Sequence, residues 1–192
     1  MARKFFRSSP VEDTQLDLFA PVITDVGPRD ARDVMELPFL SLSKQRRVKP
    51  IEYTNARTGA TIRVGADPKY GIANIYDWDL MIFVVSVIRS ALDRGEKVSP
   101  RVRFAPGDYL RATRKPNTAH YQEGIVKSIR RLHATNVETN IRMEDQSGTM
   151  EHERGFHWIA DDDIITRTIR TGSGGTKKIV EYYEVRLCHW LY

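Results

Sequence analysis

The feature that most constrains the fold is a stretch at residues 77–94 that predicts a helix with apolar residues on nearly every side. Its apolar residues are Leu80, Ile82, Phe83, Val84, Val85, Val87, Ile88, Ala91 and Leu92. Asp77 is a candidate N-cap, and Gly95 directly follows the expected end. A helix that is apolar on so many sides is a central core element, so the rest of the chain has to fold around it.

The elements around this helix are predicted from alternation, proline and turn residues. A second helix at residues 107–113 begins after Pro106, and a third covers residues 118–133. The predicted strands lie at residues 51–53, 61–64, 101–105, 136–142, 155–159, 164–169 and 179–187. The order helix, strand, helix, turn, helix and antiparallel strands predicts an α+β fold of the winged-helix class, a helix-turn-helix with antiparallel β-hairpin wings.

Two parts of the chain differ in character. Residues 1–34 have scattered apolar residues and no period, which predicts a flexible N-terminal tail. Residues 35–192 form the predicted winged-helix domain. Residues 35–44 have the pattern of an apolar peptide packed on that domain, and a basic link through Arg46, Arg47 and Lys49 follows them.

Several classes of protein are disfavoured by the composition. The single cysteine, Cys188, lies in an apolar run and is expected to be buried, and no apolar stretch reaches 18 residues. The chain is therefore expected to be a cytoplasmic protein without disulfides. Three consecutive carboxylates at residues 161–163 are expected to form a solvated turn, because alternate side chains on a strand diverge and cannot share one ion. With no pair of nucleophile and base and no spacing for metal ligands, we expect no enzyme activity, no metal and no cofactor.

Charge is unevenly distributed along the chain. The net charge is +5 at pH 7. Residues 101–142 carry nine lysines and arginines against three acids, a balance of +6, whereas residues 143–163 have a balance of −6. A basic segment of this kind indicates a local surface for a polyanion.

The third predicted helix has two different faces. At about 100° per residue, Tyr121, Ile125, Ile129 and Leu132 fall on an apolar face, and a mostly cationic face lies opposite. Long donors on such a face can reach phosphates and base edges. The candidate DNA-binding residues are Arg111, Arg114, Lys115, Asn117, His120, Lys127, Arg130, Arg131 and Arg142. The alternative interpretation is a solvated polar face without a partner.

A short motif stands out in the N-terminal tail. The residues Gln15, Leu16, Asp17, Leu18 and Phe19 resemble the pentapeptide by which many bacterial replication proteins bind the polymerase sliding clamp. In that interpretation Leu18 and Phe19 fill an apolar pocket, and Gln15 makes side-chain hydrogen bonds. A segment that packs on its own domain is the alternative.

Five segments together resemble the replication initiator protein A family of plasmid-encoded, iteron-binding initiators. They are MELPFLSLSK at residues 35–44, YDWDL at 76–80, RFAPGDYLRAT at 103–113, TNIR at 139–142 and VRLCHWLY at 185–192. Members of the family usually carry two winged-helix domains, and the resemblance covers the first, which grips DNA backbone and mediates dimerisation.

The resemblance implies a function in replication initiation. The protein would bind repeated origin sequences in duplex DNA, form a homodimer, and recruit host factors such as the sliding clamp and the replicative helicase or initiator. A protein-interaction and dimerisation module, or a repressor of its own promoter with the same fold, remains as the alternative.

Overall fold

The computed structural model describes residues 38–57, 59–140, 153–170 and 175–189 of the 192-residue chain. Its elements in chain order are the strands β1 (Ile51–Thr54) and β2 (Thr61–Ala66), the helix α1 (Ile75–Asp93), the strand β3 (Arg101–Phe104), the helices α2 (Pro106–Ala112) and α3 (Ala119–Ala134), and the strands β4 (Thr135–Thr139), β5 (Arg154–His157), β6 (Ile159–Arg170) and β7 (Thr176–Leu187). All strand pairs in the two sheets are antiparallel, which confirms the α+β class. Within the described residues, no helix is long and apolar enough to cross a membrane.

Helix α1 is the central core element that its sequence predicts. Residues on several of its sides are fully buried, among them Leu80, Met81 and Val84. Its N-cap is Asn74 and not Asp77, so the predicted cap was wrong by three positions. The Asn74 side chain accepts the Asp77 N–H at 3.2 Å, and the Asp77 carboxylate accepts the Asn74 N–H at 2.9 Å. This reciprocal capping box places the Asp77 carboxylate inside the first turn of the helix.

A cluster of aromatic rings joins α1 to the segment that precedes β1. The Trp158 ring packs edge-on against Trp78 at 4.8 Å and against Phe39 at 5.9 Å between ring centroids. Phe39 is fully buried, and burying such a side chain stabilises the fold by about 1.5–3 kcal/mol. The packing of an apolar peptide on the domain is therefore confirmed at Phe39. Cys188 is buried as expected.

The first sheet has four strands in the order β1-β2-β4-β5. The predicted strands at residues 51–53 and 61–64 are confirmed, and β1 pairs with β2 from Ile51 opposite Val64 to Thr54 opposite Thr61. The side chains of Ile62, Val64 and Val137 on this sheet are buried. Strand β4 begins at Thr135, directly after α3, so the sheet fixes the C-terminal end of that helix.

The second sheet has three strands in the order β3-β7-β6. Val102 and Phe104 of β3 lie opposite Val185 and Tyr183 of β7, and all four side chains are buried. Strands β6 and β7 are longer than predicted and form an extended pair from Ile159 opposite Leu187 to Arg170 opposite Thr176. The expected turn at residues 161–163 was wrong, because these residues lie within β6.

Candidate nucleic-acid interface

Helices α2 and α3 are joined by a short turn whose backbone is closed by hydrogen bonds. Pro106 occupies the start of α2, where its missing N–H is not needed. The helix ends at Ala112, and the Lys115 N–H then donates to the Leu110 carbonyl at 2.8 Å. Arg114 between them has a φ of 55°, in the left-handed region that favours glycine. An arginine therefore occupies a strained position at the centre of the turn.

The first half of α3 is held to the second sheet by a hydrogen bond. The Tyr183 hydroxyl donates to the Gln122 carbonyl at 3.2 Å. Burial raises the pKa of Tyr183 to about 12, so its hydroxyl keeps the proton that it donates. Ile125 and Ile129 are buried as predicted, whereas Tyr121 was wrongly expected on the buried face and is 37% exposed.

The second half of α3 is held to α1 by a buried carboxylate. Asp77 accepts a hydrogen bond from Arg131 Nε at 2.7 Å and another from the Ser128 hydroxyl at 2.7 Å. The Asp77 side chain is 1% exposed and that of Arg131 is 26% exposed. Arg131 was expected on the cationic outer face. The structure instead gives its guanidinium a structural partner inside the fold.

A second carboxylate holds the other side of α3. Arg130 donates to Asp162 of β6 at 3.2 Å, and His133 Nδ1 lies 3.0 Å from the same Asp162 carboxylate. Because the Asp162 side chain is almost fully buried, Arg130 serves to neutralise it. The expectation of a free cation at Arg130 thus needs correction.

Lys115 in the turn also has an acidic partner. Its ammonium lies 3.1 Å from Asp79 of α1 and 5.6 Å from the centre of the Tyr109 ring. Burial lowers the pKa of Lys115, but the neighbouring Tyr109 and Asp79 outweigh burial and leave the pKa above its ordinary value. Lys115 therefore stays charged and ties the turn to α1, and its side chain is 33% exposed.

The remaining predicted residues of this unit lie on the outer side of the helix pair. Arg111 and Lys127 have side chains that are 61% and 60% exposed. Lys127 lies 2.7 Å from Glu123, and its hydrogen bond lowers the pKa of that carboxyl. Arg114 and His120 are exposed, as is Asn117, which accepts a hydrogen bond from the Gln122 side chain at 2.8 Å. Arg111, Arg114, Asn117, His120 and Lys127 are thus the exposed predicted residues of the helix pair, and we call them together the α2–α3 surface.

Some of the predicted residues lie outside the part that the structure describes. These are Arg142 and the motif Gln15 to Phe19. The structure adds one group that the sequence analysis missed, at the far end of the β6 and β7 hairpin. Arg170, Lys177 and Lys178 are exposed there. Their signal in the sequence is a set of cations on both sides of a glycine-rich stretch. Among the described residues, no group of three or more His, Cys, Asp or Glu side chains could hold a metal ion.

The chain matches the family model described as "Replication initiator protein A" over residues 29–192. A similar curated protein is a "Putative replication protein" of Wigglesworthia glossinidia brevipalpis, which is 34% identical over 109 residues. That alignment covers 56% of this chain and 38% of the relative.

Two solved structures have a similar fold, and both contain domains 2 and 3 of RctB. They superpose with TM-scores of 0.56 and 0.55 at 14% and 13% identity. Each match covers 78% of this chain, and 56% and 53% of the respective RctB chains. The chain therefore spans less than two thirds of the length of the proteins that it matches.

Proposed function

The chain belongs to the replication initiator protein A family, and from this premise we propose that it binds duplex DNA at a plasmid origin through the α2–α3 surface. In this proposal the protein initiates replication in the cytoplasm by binding repeated origin sequences, the iterons. Helix α3 lies in the major groove, and its flanking cations contact phosphates.

The order of the elements supports a winged-helix interpretation of this part of the chain. Helix α1, strand β3, helices α2 and α3, and strands β6 and β7 follow one another in winged-helix order, and β3 pairs with β7 in the same sheet. The β6 and β7 hairpin takes the place of the wing. Its exposed Arg170, Lys177 and Lys178 could contact backbone beside the groove.

One observation carries the proposal: α3 is anchored on its inner side by buried carboxylates and remains accessible on its outer side. Asp77 and Asp162 neutralise Arg131 and Arg130, so the helix is held firmly on the scaffold. Arg111, Arg114 and Lys127 are left on the accessible side. A helix presented in this way binds DNA without first being ordered, which lowers the cost of binding.

A titration of wild type and variants with a random-sequence duplex tests the proposal. The interface variant replaces Arg111, Arg114 and Lys127 with alanine. The control variant replaces Arg89, Arg94 and Lys97, which removes the same charge at the C-terminal end of α1. We expect the interface variant to bind at least about tenfold more weakly, since three phosphate contacts are lost. Equal weakening in both variants would mean that only net charge matters, and the proposed surface would then be wrong.

We extend the proposal to recruitment of host replication factors by the N-terminal tail. The motif Gln15 to Phe19 supports binding to the polymerase sliding clamp, and the replicative helicase or initiator of the host is a further partner. Deleting residues 15–19 should abolish capture of the purified clamp, while duplex binding is unchanged. Capture that persists after the deletion would rule out this motif as the clamp ligand.

A homodimer is also part of the proposal. Strands β1 and β5 form the edges of the four-stranded sheet, and strand edges can pair with a second chain. Size measurement with and without duplex DNA separates the alternatives. A dimer that forms without affinity for DNA would favour the interaction module, and binding to the chain's own promoter in place of the origin would favour an autorepressor.

A further inference from the structure

A second basic surface lies outside the α2–α3 surface, in the segment that precedes β1. Residues 44–49 contain Lys44, Arg46, Arg47 and Lys49 and no acid, and all four side chains are exposed. We call these residues the basic arm. Like charges at this density repel one another, so the segment gains from a nearby anion.

The basic arm is seated on the body of the protein by backbone contacts. Just before it, Ser41 pairs with Asn74 in an isolated bridge. Within it, the Arg47 carbonyl accepts the Ile72 N–H at 2.8 Å. At Gly71, where φ is +78°, an added Cβ would lie 2.6 Å from Arg46 Cγ. The arm therefore crosses the body so closely that only glycine fits beneath it.

Both arginines of the arm are held by carbonyl groups. Arg47 donates from Nε to the Lys49 carbonyl at 3.0 Å, and Arg46 donates to the Lys69 carbonyl at 3.2 Å. Each guanidinium has five N–H donors, so donors remain for a further partner. The carbonyl contacts restrict the side chains in advance and so reduce the entropy that a ligand would have to remove.

The charges of the arm differ from those of α3 and of the turn before it in their surroundings. Arg130, Arg131 and Lys115 each lie within 4.0 Å of a carboxylate. In the part of the chain that the structure describes, no carboxylate lies within that distance of Lys44, Arg46, Arg47 or Lys49. Among the described residues, carboxylates therefore pair with cations around α3 and not with those of the arm.

The arm begins beside the first turn of α1, which also holds the C-terminal half of α3. The Lys44 ammonium lies 5.7 Å from the centre of the Tyr76 ring. Tyr76 directly precedes Asp77, which holds Arg131 of α3. The first turn of α1 is therefore the common neighbour of the arm and of the C-terminal half of α3.

We propose that the basic arm is a second contact with DNA, which binds the phosphate backbone without regard to sequence. This inference rests on the proposed function, because it extends the same duplex past α3. Five residue steps of chain cover at most about 16–18 Å. At about 3.4 Å per base pair, the arm lengthens the contact by at most about five base pairs.

Salt dependence of duplex binding tests the arm. The arm variant carries Lys44→Gln, Arg46→Gln and Lys49→Gln, and glutamine keeps the Cγ of residue 46 that lies against Gly71. The control carries Arg89→Gln, Arg94→Gln and Lys97→Gln, with the same loss of charge. Using a random-sequence duplex, we expect the slope of log K against log salt to fall by about two to three in the arm variant. The control should keep the wild-type slope.

Each outcome decides the question. If the arm variant and the control have the same slope, the arm does not contact DNA, while the α2–α3 surface is unaffected by that result. If the wild type binds no duplex, the proposed function fails and the arm proposal fails with it. Should thermal unfolding show that the arm variant is not folded, the pair Lys44→Gln and Lys49→Gln, which leaves both arginines in place, should still lower the slope by about two. An unchanged slope in that pair would overturn the proposal.

Discussion

Replacing Arg131 with alanine should destabilise the protein far more than it weakens DNA binding. Among the described residues, the substitution leaves the buried Asp77 carboxylate with the Ser128 hydroxyl and the Asn74 backbone N–H as partners. Removing one partner of a buried ion pair costs about 3–5 kcal/mol. Because the Arg131 side chain is 26% exposed, we expect the lower end, about 3 kcal/mol.

This loss is large enough to measure by thermal unfolding. For a chain of this size, 1 kcal/mol corresponds to about 2–4 °C, so Tm should fall by roughly 6–12 °C. The matched control is Lys127→Ala on the same helix, whose ion pair with Glu123 is exposed and should leave Tm nearly unchanged. A double variant, Arg131→Met with Asp77→Asn, should recover part of the loss, because no buried charge is then left unpaired.

The same pair of variants separates a structural role from DNA contact. At a temperature where both are folded, Lys127→Ala should lower the salt slope of duplex binding by about 0.9, and Arg131→Ala should leave it unchanged. The reverse pattern, in which Arg131→Ala keeps the wild-type Tm and lowers the slope, would show that Arg131 contacts DNA and does not stabilise the fold.

Two further predictions concern Arg114 and Glu184. Arg114→Gly should raise the free energy of unfolding by up to about 1 kcal/mol, because glycine accepts the left-handed φ of 55°. The same variant should bind duplex DNA more weakly than wild type. A variant that is less stable in urea, or that binds duplex DNA as wild type does, contradicts this prediction. Burial raises the pKa of Glu184, but hydrogen bonds from Arg103 and Arg101 outweigh burial and hold the pKa below its ordinary value of 4.5. The contribution of Glu184 to stability is therefore present above about pH 4.5 and is lost as the pH falls through the lowered pKa. The difference in urea midpoint between wild type and Glu184→Gln should shrink from about pH 7 to about pH 3. A difference that stays constant over this range would contradict the prediction.

Periodicity in the sequence predicted the elements well because it reports burial. The apolar residues of α1 identified the central helix, and Ile125, Ile129 and Leu132 identified the inner face of α3. Tyr121 follows the same period but lies in the first turn of the helix, where it remains exposed. The helical period predicts which face of a helix a side chain lies on. It does not predict how much of the helix length is covered by the rest of the protein.

The partners of the cations could not be predicted in this way. Asp77 and Asp162 lie 54 and 32 residues from Arg131 and Arg130, so only the tertiary fold brings the charges together. A charge balance along the chain counts these arginines as available for DNA, although the fold uses them to neutralise buried acids. For the same reason the sequence did not predict the position of Asp162. This residue was expected in a solvated turn, whereas its side chain is buried and holds α3.

The most direct test of the central claim, that the α2–α3 surface binds duplex DNA, is the salt slope of the interface variant. Wild type and the variant with alanine at Arg111, Arg114 and Lys127 are titrated with one duplex over a series of salt concentrations. We predict a linear decrease of log K with log salt for wild type, and a slope that is smaller by about two to three in the variant. An interface variant with the wild-type slope would contradict the claim.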